Sequence, residues 1–159
     1  MNTTPTCLAI PSPLGTLVAV AELDQLVALA LPNRPAPPAA VATQPRGVLA
    51  DTARQLAEYF AGTRRVFDLP LAPRGSGFQQ LVWNALLAIP FGATCSYGDI
   101  ARTLGRPSAS RAVGAANGRN PIAIIVPCHR VIGSSGTLAG PMAEVAEEII
   151  SSAALRRTA

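Results

Sequence analysis

Three consecutive residues near the C-terminus carry the side chains best suited to covalent chemistry. Cys128 directly precedes His129, the only histidine of the chain, and Arg130 follows. A thiol attacks as its thiolate, and a neighbouring imidazole or guanidinium can lower the pKa of a thiol from about 8.5 into the reactive range. These residues are therefore a candidate nucleophile with its base. Cysteine is also among the residues most often buried as a small apolar side chain, so a structural role for Cys128 is the alternative.

Apolar runs flank this pair on both sides and predict buried strands. The runs cover residues 124–126 and 131–132. Short apolar runs bounded by turn residues are typical of buried strands. The candidate nucleophile is therefore expected to lie inside the fold.

Upstream of the pair, two short helices are predicted across a tight turn. Ser96 and Asp99 have the spacing of a capping box, in which each side chain bonds a free backbone amide of the other residue. Gly105–Pro107 breaks the first helix, and Ser108 can cap a second, alanine-rich helix over Ala109–Asn117. Two such helices predict a helix-turn-helix whose second helix enters a DNA groove, although an ordinary helical hairpin has the same pattern.

Positive charge is concentrated in the same part of the chain. The formal net charge is +4, and all thirteen basic residues are arginine. Residues 73–132 hold six arginines and one acid, whereas residues 1–72 hold five arginines and five acids. A local basic surface beside a reactive thiol suggests a polyanionic partner, most simply nucleic acid.

The first half of the chain predicts a small α/β domain. Three short strands separated by turns have the pattern of an antiparallel meander: Thr6–Ile10, Thr16–Ala21 and Leu26–Leu31. The proline-rich stretch Pro32–Pro45 is expected to be a loop. Apolar residues at helical spacing predict a helix from about Leu49 to Phe60, and residues 66–69 predict one more strand.

A linker rich in glycine, proline and serine covers residues 72–77 and coincides with the change in charge balance. We place the domain boundary there, with an N-terminal domain of residues 1–72 and a C-terminal domain of residues 73–159. The second domain begins with an amphipathic helix from about Phe78 to Ile89.

Composition argues against several other classes of protein. The three cysteines, Cys7, Cys95 and Cys128, are scattered and have one histidine to accompany them, so neither a disulfide framework nor a zinc site is expected. No metal or other cofactor is predicted. No apolar run approaches the roughly 18 residues that a membrane helix needs, and the N-terminus lacks the features of a secretory signal. We expect a soluble, cytoplasmic protein that acts as a monomer without a membrane partner.

Four segments between about Gly77 and Gly140 have the order and spacing of a known family. They are Ser-Tyr-Gly-Asp-Ile-Ala at 96–101, Ser-Arg-Ala-Val-Gly-Ala-Ala-Asn at 110–117, Asn-Pro-Ile at 120–122 and Pro-Cys-His-Arg-Val-Ile-Gly at 127–133. In these segments the chain resembles the O6-alkylguanine-DNA alkyltransferases, also called methylated-DNA–protein-cysteine methyltransferases. The resemblance implies an RNase H-like α/β N-terminal domain, with a small antiparallel sheet and a helix. It also implies a mostly α C-terminal domain with a winged helix-turn-helix.

The resemblance further implies DNA repair in a single turnover. The thiolate of Cys128 would displace guanine from an alkyl group at its O6 position, and O4-alkylthymine would be a second substrate. The guanine would be restored and the protein permanently S-alkylated. The implied partner is double-stranded DNA carrying O6-alkylguanine, and its target base must rotate out of the stack to reach a buried thiol.

The functional residues of the family carry over to matching positions of this chain. Cys128 would be the nucleophile, His129 its base acting through water, and Asn120 the link between the helix-turn-helix and the active-site loop. Arg111 would enter the base stack in place of the flipped nucleotide, and Tyr97 would help to rotate its phosphate and contact the base. The other positions expected to contact DNA are Ala109, Ser110, Ala112, Gly114 and Arg119. The lesion pocket is expected to include Tyr97, Val131, Pro141 and Met142.

After Gly140 the chain departs from the family. The family continues with an aromatic residue and a glycine pair that line the alkyl pocket, and later with a Glu that holds the active-site histidine. The segment 141–159 is atypical here, because Pro141 and Met142 replace the pocket residues and Ala154 aligns near the expected Glu.

Loss of that carboxylate would leave the tautomer of His129 unset and the thiolate less well prepared. Glu147 and Glu148 are candidate substitutes. Codons permitted for residues 140–154 can, in another frame, encode a tyrosine followed by glycines and a later Glu. An out-of-frame tail is therefore one hypothesis for the departure.

Two other functions stay open on the sequence alone. A module that binds alkylation damage, with weak or no transfer, would account for the altered tail, but proteins of that kind usually lack the cysteine. A thiol hydrolase that uses Cys128 and His129 would leave the helix-turn-helix and Arg111 unexplained.

Overall fold

The computed structural model describes residues 4–133. Within this range the chain divides into two compact units, of which the first ends at Pro73 and the second begins at Arg74. The atypical segment 141–159, with Pro141 and Met142, lies outside the described residues.

A four-stranded sheet forms the first unit, and its first three strands confirm the predicted meander. The strands are antiparallel in chain order: β1 (Thr6–Ser12), β2 (Gly15–Glu22) and β3 (Gln25–Ala30). A fourth strand, β4 (Ala40–Val41), pairs in parallel with β1, so the order across the sheet is β3-β2-β1-β4.

Strand β4 lies inside the stretch Pro32–Pro45, so the loop predicted over this whole stretch was wrong. The amide of Ala40 donates to the carbonyl of Pro5 at 3.0 Å, and the amide of Ala42 donates to that of Cys7 at 2.9 Å. Proline cannot donate to a sheet, but the residues between 39 and 43 include none. The short run without proline is therefore free to pair with the edge of β1.

Helix α1 (Gly47–Phe60) packs its apolar face on the sheet and buries Leu49 and Leu56. Its N-terminus is capped by a residue distant in sequence. The Oδ1 of Asp24, in the β2–β3 turn, accepts from the amide of Val48 at 2.9 Å. A carboxylate at this end also complements the helix dipole, so the bond fixes the helix to the turn of the sheet.

The strand predicted at residues 66–69 is absent, which corrects that prediction. The side chain of Gln55 takes both backbone groups of Asp68, donating to its carbonyl and accepting from its amide at 2.9 Å each. These groups are consequently unavailable to a neighbouring strand. The chain reaches β3 at Pro70, whose carbonyl accepts from the amide of Leu26 at 2.8 Å, and Leu26 and Leu71 form an isolated parallel bridge.

The second unit is mostly helical. Up to residue 133 it contains three α-helices that pack on one another: α2 (Gly77–Leu87), α3 (Tyr97–Thr103) and α4 (Ser110–Gly118). Two short strands, β5 (Cys95–Ser96) and β6 (Val131–Ile132), pair in parallel. Trp83 of α2 is 2% exposed, and its Nε1 donates to the carbonyl of Ala116 at 2.9 Å, which ties α2 to α4.

Helices α3 and α4 form the predicted helix-turn-helix. The predicted capping box opens α3, since Ser96 Oγ accepts from the Asp99 amide and Asp99 Oδ2 accepts from the Ser96 amide, both at 3.0 Å. Between the helices, Gly105 has φ +71°, a conformation strained for residues with a Cβ. A second capping box, formed by Ser76 and Gln79, opens α2 and was not predicted.

The predicted cap of the second helix was wrong. Helix α4 begins at Ser110 with Ala109 at the N-cap position, and Ser108 makes no cap to it among the described residues. The amide of Ala109 donates to the carbonyl of Arg106 at 2.9 Å. A backbone turn therefore leads into the helix where a side-chain cap was expected.

The two units confirm the predicted fold class, a small sheet with a helix followed by a mostly α unit with a helix-turn-helix. Over residues 4–133, the structure contains no helix long and apolar enough to cross a membrane.

Candidate active site

Cys128 and His129 lie on one turn of 3₁₀ helix, Cys128–Arg130, which leads directly into β6. Cys128 is 2% exposed and His129 is 3% exposed. The strand pairing places Val131, the next residue, opposite Cys95, and Val131 is itself buried. The candidate nucleophile is therefore held inside the second unit, as its apolar flanks predicted.

The run 124–126 is buried but forms a turn, so the strand predicted there was wrong. Asn120 organises this turn. Its Nδ2 donates to the carbonyl of Val126 at 2.8 Å, and its Oδ1 accepts from the amide of Ile122 at 3.0 Å. Ile124 has φ +71°, which is a strained conformation for a β-branched residue. Asn120 thus connects the end of the helix-turn-helix to the segment that delivers Cys128.

Both reactive groups are neutral at rest. Burial raises the pKa of the Cys128 thiol, whereas hydrogen bonds from the Asn120 side chain and from two backbone amides lower it by less. Burial, followed by the positive charge of Arg130, lowers the pKa of His129 to about 3. The expected lowering of the thiol pKa by its neighbours is therefore wrong for the resting protein, because burial disfavours every charged form.

The guanidinium of Arg130 is not among the groups that lower the pKa of the Cys128 thiol. Its Nη1 donates to the carbonyl of Ile89 at 2.7 Å, and its guanidinium lies 5.6 Å from the ring centroid of Phe91. Arg130 therefore secures the chain that follows α2. His129 keeps one ring nitrogen, Nδ1, without a hydrogen-bond partner among residues 4–133, so a neutral imidazole can accept a proton there.

Tyr97, the first residue of α3, lies against α4 and close to the thiol. A Cβ placed on Gly114 would lie 3.6 Å from Cε2 of the Tyr97 ring, which is van der Waals contact. Burial raises the pKa of Tyr97, a hydrogen bond to Asn117 lowers it, and the nearby Cys128 raises it. The Cys128 thiol is therefore within electrostatic reach of the Tyr97 hydroxyl.

Asn117 is a site residue that sequence reasoning missed. It is 3% exposed, and its Nδ2 donates to the carbonyl of Cys128 at 3.5 Å. Its position one turn after Gly114, at the end of a helix of small residues, is a signal that could have pointed to it.

A groove of about 660 Å³ lies on the helix-turn-helix. It is lined by four residues predicted to contact DNA, Tyr97, Ser110, Arg111 and Gly114, and by three that were not, Ser96, Gly98 and Arg102. The guanidinium of Arg102 bonds Asp99, and its Nη1 would lie 3.4 Å from a Cβ on Gly98. Two arginines thus flank a groove of small and hydroxylated residues.

The remaining predicted positions lie at the ends or on the open side of α4. Ala109 is its N-cap residue, Ala112 is exposed, and Arg119 is its exposed C-cap residue. None of the three is among the residues that line the groove. Over the described range, no three His, Cys, Asp or Glu side chains converge as a metal site would require.

Two family models match the chain in sequence. The model of the 6-O-methylguanine DNA methyltransferase ribonuclease-like domain matches residues 7–73. The model of the DNA binding domain of the same methyltransferase matches residues 77–155, so this match extends into the atypical tail.

Two curated relatives share the name methylated-DNA–protein-cysteine methyltransferase. The methylated-DNA–protein-cysteine methyltransferase of Mycobacterium leprae is 49% identical over 135 residues, which are 84% of this chain and 82% of that protein. The protein of the same name from Methanosarcina acetivorans is 62% identical over 90 residues. That second match spans 57% of this chain and 58% of the relative, little more than half of each.

Solved structures agree with the sequence matches. The crystal structure of Mycobacterium tuberculosis O6-methylguanine methyltransferase has a TM-score of 0.85 at 42% identity and covers 96% of this chain and 94% of that chain. The structure of Mycobacterium tuberculosis OGT in complex with DNA has a TM-score of 0.86 at 42% identity, covering 95% and 94%. These matches confirm the resemblance found in the motifs around Cys128, and the chain belongs to the 6-O-methylguanine DNA methyltransferase family.

Proposed function

We propose that this protein repairs O6-alkylguanine in double-stranded DNA by transferring the alkyl group to Cys128, once per molecule. Its relatives in Mycobacterium leprae and Methanosarcina acetivorans are named methylated-DNA–protein-cysteine methyltransferases, and the Mycobacterium tuberculosis relative was crystallised with DNA. The observation that carries the proposal is the thiol of Cys128. It is 2% exposed, and a side chain of the helix-turn-helix bonds the carbonyl of the same residue.

DNA binding by the groove follows from its charge and its small residues. Arginines at its edges can neutralise phosphates, and small side chains such as Gly114 allow close approach to the backbone of the duplex. A buried thiol cannot reach a stacked base, so the damaged nucleotide must rotate out of the duplex. Arg111, exposed on the groove, would fill the gap left in the stack, and Tyr97 would meet the rotated nucleotide. Ala109, Ser110, Ala112 and Arg119 would contribute further backbone contacts.

The transfer is a displacement at the alkyl carbon. The S–C bond to Cys128 forms as the C–O6 bond breaks, and the electron pair of the broken bond passes into the guanine ring. The thiol loses its proton and the guanine gains one, so atoms and charge balance without a cofactor. Nδ1 of His129 accepts the thiol proton in this scheme, since it is unpaired among the described residues and neutral above about pH 3.

The test uses duplex DNA that carries one O6-methylguanine, followed by mass measurement of the intact protein. We expect a gain of one CH₂ per molecule, located on Cys128 by peptide mapping. Cys128→Ser should abolish the gain, whereas Cys95→Ser is the matched control, because Cys95 is half-buried in β5 and has no role in the scheme. A wild-type protein that gains no mass would refute the proposal.

Binding of the damaged duplex without a mass gain would favour the alternative, a module that recognises alkylation damage. Retention of Cys128 next to His129, whose Nδ1 has no hydrogen-bond partner between residues 4 and 133, favours transfer. O4-methylthymine in the same duplex tests the second substrate. We further propose that residues 1–72 and 73–159 are separate domains and that the protein acts as a monomer.

A further inference from the structure

Arg106, in the turn between α3 and α4, lies over an aromatic ring of α2. Its guanidinium carbon is 5.4 Å from the ring centroid of Phe78, the second residue of that helix. Arg106 is exposed and Phe78 is half-buried. A guanidinium over a ring uses its face for this contact, whereas its N–H donors lie in its own plane. The contact therefore orients the side chain and leaves its donors available.

The backbone alone accounts for the turn in which Arg106 lies. The amide of Arg106 donates to the carbonyl of Ala101 at 2.9 Å, and the carbonyl of Arg106 accepts from the amide of Ala109 at 2.9 Å. Gly105, with φ +71°, supplies the change of direction. The turn therefore does not depend on the guanidinium.

The protein does not neutralise the charge of Arg106. Asp99 is the only acid among residues 73–132, and it is paired with Arg102. Arg106 and Arg111 are both exposed, and neither has a carboxylate partner in the part of the chain that the structure describes. Exposed, unpaired arginines on a helix-turn-helix attract a polyanion.

We propose that Arg106 binds a phosphate of the DNA backbone beside the groove, and that Phe78 is the residue that positions it. This role rests on the proposed function, because it adds a contact to the same duplex. The bond from the Ala109 amide fixes Arg106 just before α4, whose first residues, Ser110 and Arg111, line the groove. The planar fork of a guanidinium matches two phosphate oxygens. Such a contact carries no sequence information, so it suits a protein that must find damage in any sequence.

Salt-dependent binding of an undamaged duplex tests the phosphate contact, with fluorescence anisotropy as the measurement. Arg106→Gln should weaken binding about fivefold to tenfold at 0.1 M salt and reduce the slope of log K against log salt by about 0.9. Arg54→Gln, in α1, makes the same change in net charge and is the matched control, so it should alter neither quantity. An unchanged slope in Arg106→Gln, or an equal change in Arg54→Gln, overturns the proposal.

A double-mutant cycle tests the positioning role of Phe78 in the same assay. Phe78→Leu removes the ring and leaves the charge, so it should weaken binding about twofold to fivefold, but less than about 1.5-fold in the Arg106→Gln background. Phe78→Tyr keeps the ring and should bind as the wild type does. Equal factors in both backgrounds overturn the proposal. If urea unfolding shows that Phe78→Leu does not fold, Phe78→Met replaces it, because its flexible chain fills a similar space.

Alkyl transfer separates this contact from the proposed function. Free O6-benzylguanine contains no phosphate, so Arg106→Gln should react with it at the wild-type rate. A slower reaction would mean that Arg106 acts on the site of Cys128 and would overturn the proposal. If the wild type transfers no alkyl group, the proposed function fails, and the salt dependence of duplex binding still decides whether Arg106 contacts a phosphate.

Discussion

Mild acid should destabilise the second unit through protonation of His129. The imidazole is 3% exposed, and burial, followed by the charge of Arg130, lowers its pKa from 6.5 to about 3. The unfolded chain binds a proton near pH 6.5, whereas the folded chain binds it only near pH 3. Between these values the unfolded state holds more protons. The contribution of the neutral imidazole to the free energy of unfolding is therefore fully present above pH 6.5 and is lost as the pH falls from 6.5 towards 3.

The size of the loss follows from the interval. Each pH unit below 6.5 costs about 1.36 kcal/mol until the folded-state pKa is reached, so moving from pH 7 to pH 4.5 costs about 2.6 kcal/mol from this one group. Asp99 adds little in this window. Its pKa is lowered from 3.8, first by its hydrogen bonds with Ser96, so its contribution is lost only at lower pH.

The assay is urea unfolding at pH 7 and pH 4.5, followed by the fluorescence of Trp83. This residue is the only tryptophan, is 2% exposed and belongs to the same unit as His129. The free energy of unfolding of the wild type should fall by about 2.6 kcal/mol more than that of His129→Gln. Because the chain has one histidine, its imidazole can also be followed by NMR, and it should show no titration between pH 5 and pH 8.

Two results would refute this reasoning. One is a parallel loss of stability in the wild type and in His129→Gln. The other is an imidazole that titrates near pH 6.5 in the folded protein. Either result would mean that His129 is charged or solvated in the native state, and the scheme with a neutral imidazole as base would have to be abandoned.

Three substitutions in the second unit test the groove and the turn before the nucleophile. Arg111→Ala should slow repair of duplex DNA about tenfold or more, because the duplex requires base flipping. The same variant should change the rate of reaction with free O6-benzylguanine by less than about twofold, because that substrate needs no flipping. Both rates are measured from the mass of the protein, and an equal loss of rate with the two substrates would contradict the role of Arg111. Arg102→Gln should reduce the slope of log K against log salt for an undamaged duplex by about 0.9, the value of one phosphate contact. Arg54→Gln, in α1, is the control, and an unchanged slope would remove Arg102 from the interface. Asn120→Ala should lower the free energy of unfolding, measured by urea unfolding, by about 1–3 kcal/mol, because two backbone groups lose their hydrogen-bond partner. A variant as stable as the wild type would show that the turn does not need Asn120.

Local signals in the sequence predicted the helix-turn-helix correctly. The capping box of Ser96 and Asp99 spans three residues, and the break at Gly105 needs only a positive φ, so both can be recognised without tertiary structure. Ser108 does not cap the second helix, because a backbone hydrogen bond from Ala109 to Arg106 forms the turn instead. Residue propensities do not predict this bond.

Features that depend on distant partners could not be predicted. Asn117 bonds a carbonyl eleven residues away, and the Tyr97 ring at the start of α3 lies beside Gly114 of α4. The direction of the Cys128 pKa was mistaken for the same reason. Adjacency in sequence suggested a neighbour that stabilises the thiolate, but the shift is set mainly by burial, which depends on the whole fold.

The burial of Cys128 also bears on how long an unused molecule stays competent. Peroxides oxidise thiolates in preference to thiols, and they act most readily on exposed cysteines. A thiol that is 2% exposed and whose pKa is raised by burial is poorly accessible and protonated, so it resists conversion to sulfenic acid. If Cys128 is used once per molecule, as proposed, this protection preserves the nucleophile until a damaged base arrives.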